Sequence, residues 1–154
     1  MLDTVIVRPG HSYGPSITDS DFRASAQFTS NAVRGEDIAM KSAGLQLRSY
    51  CYTLDCASAI LTVLLNGEKG NTYNISNKNS VVTIGDMAKA LAKAVGRQVV
   101  YENASETEIK GYNLMSNSSL DAEKLEVLGW RAEFGLQEGA EKTVGYFEGG
   151  PLPL

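Results

Sequence analysis

The chain has 154 residues, 43% of them hydrophobic and 21% charged, a length and balance that suit one soluble globular domain. Its formal net charge is −4 and its pI is near 5.0, with lysines and arginines scattered singly. This excludes wholesale nucleic-acid binding while leaving room for a few placed arginines to hold a phosphorylated small molecule. Two cysteines, Cys51 and Cys56, and one histidine, His11, are too few for a zinc site or a disulfide framework, so no metal is expected.

The amino terminus has no basic region ahead of a long apolar run, and the most apolar stretch, Ala59 to Leu65, is too short to span a bilayer. A cytoplasmic protein without a membrane partner is therefore expected. Without export, the Asn-x-Ser triplets beginning at Asn74, Asn103 and Asn117 are chance matches to a glycosylation signal.

In chain order, Thr4-Val5-Ile6-Val7-Arg8 is a short β-branched run stopped by Pro9-Gly10, the pattern of a parallel strand buried on both faces. Too few similar runs follow to complete a parallel sheet, which leads to the expectation that upstream strands are missing. Asp19 or Ser20 is placed to cap a helix running to about Arg34, with Phe22, Ala26 and Val33 on one side and Gly35 as its stop. Ile38-Ala39-Met40 reads as a strand. After the loop Ser42-Ala43-Gly44, Arg48 to Tyr52 alternates like an edge or half-buried strand.

Thr53 to Asn66 has a broad apolar face of Ala57, Ile60, Leu61, Leu64 and Leu65, so a deeply packed helix is expected, ended by Gly67. Asn71 to Ile75 is a further strand. Thr83-Ile84-Gly85-Asp86 has the form of a capping box with Asp in place of Glu. It opens a helix whose Ile84, Met87, Leu91 and Val95 form one stripe before Gly96. Gln98 to Tyr101 is expected to be a short strand, and Glu102 to Ser118 a polar surface loop able to close over a ligand. Helices over Leu120 to Leu128 and Leu136 to Phe147 finish the chain. Interleaved helices and strands place it in the α/β class.

Two segments have the composition of a binding site. Arg8-Pro9-Gly10-His11-Ser12-Tyr13-Gly14-Pro15 follows the first strand, and the carboxyl ends of strands in open α/β sheets are where ligands bind. A plain tight turn with a surface histidine accounts for the same residues. Arg48-Ser49-Tyr50-Cys51-Tyr52-Thr53-Leu54-Asp55 opens on an arginine, whose planar fork can hold a phosphate by paired hydrogen bonds. A solvated arginine and a helix-dipole role for Asp55 are the structural alternatives.

Together these segments resemble the extended short-chain dehydrogenase/reductase family, specifically its NAD-dependent epimerases, dehydratases and decarboxylases that modify nucleotide sugars. Arg8, Tyr13, Gly14 and Pro15 match the family pattern Arg-x-x-Asn-x-Tyr-Gly-Pro, with His11 standing where Asn is usual. Arg48, Ser49, Tyr50, Tyr52 and Asp55 match Arg-(Asp or Ser)-aromatic-x-Tyr-Val-x-Asp, with Thr53 replacing Val. The likeness continues through Gly70 to Ile75 and through Leu120-Asp121-Ala122-Glu123-Lys124-Leu125 to Trp130.

The resemblance implies the carboxyl-terminal portion of a Rossmann-like enzyme: the last Rossmann strands and helices plus a substrate-binding subdomain, over residues 1–154, without the amino-terminal dinucleotide-binding half. The ligand it implies is a nucleoside-diphosphate sugar, the cofactor NAD. Arg48 would bind the diphosphate, Arg23 would lie beside the nucleotide sugar, and His11 would contact the substrate. Met40 and Lys41 would face the nucleotide base, and Pro9 would lie close to the nicotinamide. Ser118 and Ser119 stand near the place where the family often carries a second diphosphate-binding arginine.

Two family motifs are absent from this chain. It has no glycine cluster of the dinucleotide-binding type. None of its seven tyrosines is followed four residues later by lysine, so the acid/base Tyr-x-x-x-Lys pair is missing and no catalytic residue is assigned. The expectation is a catalytically incomplete, substrate-binding part whose partner is the missing Rossmann half. The alternatives are a non-catalytic nucleotide or nucleotide-sugar binding module, and an oligomerising piece whose bare sheet edge pairs with another copy. A thiol or triad enzyme using Cys51 or Ser12 with His11 lacks any supporting motif.

Overall fold

The structure, a computed structural model, describes residues 3–148 except Asp19 and Leu114. Among the described residues, three small sheets and six α-helices alternate in a mixed α/β arrangement. Strand β1 (Ile6–Pro9) runs parallel to β5 (Thr72–Ile75), with Ile6 opposite Thr72 and Pro9 opposite Ile75. Strand β2 (His11–Tyr13) runs parallel to β4 (Leu47–Tyr52), which also pairs antiparallel with β6 (Val81–Thr83) and parallel with the two-residue β8 (Asn117–Ser118). Strand β3 (Ile38–Met40) pairs in parallel with β7 (Val99–Tyr101).

Helix α3 (Ile84–Ala94) forms where the sequence places it. The Thr83 hydroxyl accepts from the Asp86 N–H at 3.0 Å and the Asp86 carboxylate accepts from the Thr83 N–H at 3.1 Å, so Asp serves the box as Glu would. Met87 and Leu91 are fully buried on its inner stripe. Gly35 and Gly96, with φ of +68° and +63°, stop helix α1 (Ala24–Val33) and α3 in a conformation that residues with a Cβ avoid. Helix α3 packs between α1 and α6 (Leu136–Phe147), and these three close over β3 and β4 to bury Phe28, Ile38, Tyr50, Tyr52, Met87, Leu91 and Val144.

A second core lies between α2 (Thr53–Asn66), the β1–β5 pair and the short α5 (Glu123–Val127). It contains Cys51, Cys56, Val63, Tyr73, Ile75, Leu125 and Trp130.

Four expectations are corrected. Helix α1 starts at Ala24, because the Asp21 carboxylate accepts from the Arg23 N–H and holds the preceding turn; Asp19 lies outside the described residues, and Phe22, ahead of the helix, is 81% exposed. Strand β4 is an inner strand with Arg48 through Tyr52 all buried, since β2 and β6 flank it on either side. Residues 102–118 are not all loop: Glu106–Lys110 forms helix α4, and Asn117–Ser118 forms β8.

The fourth concerns β1 and α2. Only one face of β1 is covered, through Val5 and Val7, and Ile6 is 53% exposed. Helix α2 buries Asp55, Cys56, Ala59 and Val63 but leaves Leu54, Leu61, Leu64 and Leu65 between 56% and 79% exposed. A helix apolar all round normally lies between two packed layers, and here one layer is present. Among the described residues no helix is long and apolar enough to cross a membrane.

Candidate functional site: a cationic cavity beside strand β4

Side chains alternate across a strand, so Gln46, Arg48 and Tyr50 project from one face of β4 and its approach while Ser49 and Cys51 project from the other. The first three line a cavity of about 700 Å³, closed on its other sides by the β2, α1, β3 and 111–113 segments. His11 enters from β2, directly opposite Tyr50 in the ladder.

The main chain reaches that position through Gly10, whose N–H donates to the Ile75 carbonyl at 2.9 Å. A Cβ on Gly10 would lie 2.9 Å from the Ser49 hydroxyl oxygen, so only glycine lets the backbone pass this close.

Arg48 is 4% exposed. Its Nη1 donates to the carbonyls of Leu47 at 2.7 Å and Met115 at 3.1 Å. Among the described residues no carboxylate pairs with it, and the N–H groups at Nε and Nη2 have no acceptor. A buried charge without a counter-charge is costly, and an incoming anion relieves that cost.

Among the described residues, the cavity walls carry three basic side chains, Arg23, Lys41 and Arg48, and no carboxylate, in a chain whose net charge is −4. Arg23 is already engaged: Asp21 grips its Nε and Nη2, and its Nη1 donates to the Ser12 carbonyl. The hydrogen bonds from Arg23 hold the Asp21 carboxyl below the usual carboxylate range.

His11 meets the Tyr50 ring edge-on at 5.9 Å, and its buried Nδ1 has no partner. Burial first, then the charges of Arg48 and Arg23, lower its pKa, so the imidazole is neutral near pH 7 and offers one donor and one acceptor. Burial pushes the Tyr50 hydroxyl up to about 12, which makes it a donor with no acid/base role at neutral pH.

Of the sequence-derived candidates, His11, Arg23, Met40, Lys41 and Arg48 all reach this one cavity. Met40 is 2% exposed and fills the first core as much as it lines the wall. Pro9 does not line the cavity; it ends β1 in an exposed position opposite Ile75. Asp55, the last residue of the second motif, is 2% exposed and points away. Its carboxylate accepts from the backbone N–H groups of Glu133 and Phe134, fastening α2 to the segment before α6.

Gln46 and Tyr50 were given no binding role from the sequence, although Tyr50 lies in the second motif and their spacing of two on either side of Arg48 was a readable signal. Tyr112 and Asn113 had none, because their approach depends on how residues 102–118 fold back. Among the described residues no cluster suits a metal ion.

Known proteins resemble this chain in sequence and fold. Residues 1–76 match the model of the NAD dependent epimerase/dehydratase family. The chain is 29% identical over 151 residues to dTDP-D-glucose 4,6-dehydratase of Homo sapiens, covering 93% of this chain and 41% of that protein. It is 29% identical over 140 residues to UDP-glucuronic acid decarboxylase 6 of Arabidopsis thaliana, covering 90% and 39%.

Among solved structures, UDP-glucose 4-epimerase of Thermotoga maritima with UDP-glucose superimposes with a TM-score of 0.79 at 27% identity, over 96% of this chain and 47% of that one. UDP-glucose 4-epimerase of Thermus thermophilus in complex with NAD gives 0.73 at 26% identity, over 96% and 47%. The chain thus spans about two fifths of the length of the curated relatives named here.

Proposed function

We propose that the chain belongs to the NAD-dependent epimerase/dehydratase family and forms the nucleotide-sugar-binding part of such an enzyme, working with a dinucleotide-binding half that it does not itself contain. The observation that carries this reading is the buried, carboxylate-free guanidinium of Arg48 in the wall of a 700 Å³ cavity that His11, Lys41 and Arg23 also reach. The free N–H groups of Arg48 would take the diphosphate, and His11 would exchange hydrogen bonds with a sugar hydroxyl.

NAD is implied by the family, but the residues described here do not fit its pyrophosphate. A dinucleotide site needs an open helix N-terminus behind a glycine-rich turn. Helix α1 follows Ser20-Asp21-Phe22-Arg23, which contains no glycine, α2 has the carboxylate of Asp55 in its first turn, α6 has Glu138 there, and the N-terminus of α3 is closed by its own capping box. The cofactor would be held mainly by the other half, with Pro9 at the nicotinamide side. This chain's share of the chemistry would be to bind and orient the sugar nucleotide, since the Tyr-x-x-x-Lys pattern does not occur in it.

The bare face of α2 and the free edge of β1 favour this partnered reading over a free-standing binding module. Burying a leucine is worth about 1.5–3 kcal/mol, and a helix and parallel strand of the dinucleotide-binding half would cover Ile6 and the outer leucines. In isolation the same face would hold copies of the chain together.

Calorimetric titration of the chain with UDP or dTDP tests the assignment. Binding should weaken at least about tenfold in Arg48→Ala, and Arg34→Ala, a surface residue paired with Glu36, should change nothing. Absence of binding, or equal binding by both variants, would sink it.

A further inference from the structure

We infer that the nucleobase of the bound nucleotide stacks on Tyr112, with the side-chain amide of Asn113 donating to a carbonyl on its rim. This rests on the reading that the cavity takes a nucleoside diphosphate. A planar base needs an accessible ring that is already held in place, because ordering a free side chain cancels part of the gain.

The cavity offers five aromatic rings, and four are unsuited. Phe28 and Tyr50 are 5% and 2% exposed and packed into the first core. His11 is turned edge-on to Tyr50. Phe22, at the rim and 81% exposed, is without a packing partner in any core.

Tyr112 is half-buried and fixed at two points. Its hydroxyl donates to the Lys41 carbonyl at 3.0 Å, and its backbone N–H donates to the Ile109 carbonyl at 3.2 Å. The end of β3 and the residue after it bring Ala39, the buried Met40 and Lys41 to that wall, none of which has a ring, so the flat surface comes from Tyr112.

Asn113 is oriented by its own turn. Its Oδ1 accepts from the Met115 N–H at 2.9 Å, which leaves the amide NH₂ as a donor. The Met115 carbonyl in turn accepts from Arg48 at 3.1 Å. Tyr112 is therefore tied to Lys41, just past β3, and Met115 to Arg48, the two ends that a base and its diphosphate would occupy.

The test titrates the full chain with UDP and, separately, with inorganic pyrophosphate, in the native protein and in Tyr112→Leu, Tyr112→Phe and Asn113→Ala. The native chain should bind UDP more tightly than pyrophosphate. Tyr112→Leu should weaken UDP by about 10-fold, the size of a lost base–aromatic stack, with pyrophosphate unchanged. Tyr112→Phe, which keeps the ring, should stay within about threefold of the native value.

Asn113→Ala should weaken UDP alone. If Tyr112→Leu leaves UDP binding intact, or weakens both ligands equally, the stacking role is wrong while the diphosphate reading stands. If the native chain binds neither ligand, both fall.

Discussion

Asp55 and Phe134 are 79 residues apart in the chain, yet the carboxylate of the first accepts a hydrogen bond from the backbone N–H of the second at 3.1 Å. The same carboxylate takes the Glu133 N–H at 2.9 Å, while Asn77 donates from its amide to the Phe134 carbonyl at 2.8 Å. The segment before α6 is thus held from two sides. Because α6 packs on the helices around the first core, the end of a motif that reads as ligand-binding is a fastener for the layer behind the cavity.

Asp55→Ala should therefore destabilise the fold without altering ligand affinity in the fraction that remains folded. Two backbone N–H groups lose a charged acceptor at a buried site, for a cost of about 2–4 kcal/mol. Urea unfolding followed by circular dichroism measures the first effect, and titration with UDP measures the second.

Arg48→Lys separates charge from geometry. The ammonium keeps the positive charge but cannot reproduce the fork that serves the Leu47 and Met115 carbonyls while presenting further N–H groups to an anion. Affinity for UDP should fall by about tenfold or more even though net charge is unchanged.

His11 gives the stability a pH dependence of known sign. Its folded-state pKa is lowered, so as pH falls through about 6.5 the unfolded chain takes up a proton that the folded chain refuses. The unfolded state then binds more protons, and stability is lost from about pH 7 down to the folded-state pKa, below which the effect is constant. His11→Gln should flatten that slope. The depressed Asp21 and Asp86 act in a separate window: the stability they add is present above about pH 4 and is lost as pH falls through their lower folded-state values. Urea midpoints measured across this range distinguish the two.

Two glycines of α6 should respond in opposite directions. A Cβ on Gly139 would fall 2.1 Å from the Tyr13 hydroxyl oxygen, which is buried and donates to the Leu136 carbonyl, so Gly139→Ala should cost about 1–3 kcal/mol. Gly145 has nothing within 4 Å of that position, and Gly145→Ala should stabilise the helix by about 0.5–1 kcal/mol. Thermal melts of the two variants check the pair.

The outer face of α2 is separable from the fold. Leu61 and Leu65 are 58% and 79% exposed, and replacing both with lysine should change the stability of a single chain by about 0.5 kcal/mol per site or less. Light scattering at high concentration should show the native chain associating and the double variant dispersed.

Much of this was legible because it is local. The Thr83 and Asp86 pair, the stop at Gly96, the strand Ile38–Met40 and the helix Leu136–Phe147 each follow from neighbours within a few residues. Arg48 was legible as a candidate for the cavity from the company it keeps, through a family likeness and not through periodicity.

What failed depended on partners distant in the chain. The burial of β4 comes from β2 and β6, which contribute three residues each. The exposure of α2 could not be read from its apolar pattern, which specifies two covered faces. Tyr112 lies in a polar stretch, and its value arises only when its hydroxyl finds the Lys41 carbonyl.

Gly10 sits where the main chain leaves the β1–β5 pair and enters the β2–β4 pair, held by Ile75 on one side and pressed against Ser49 on the other. The two sheets thus share a joint one residue long, and the next residue carries the imidazole. A tug on β1 along its free edge would reach His11 through covalent bonds alone. Whatever docks against that edge would end one residue short of the cavity wall.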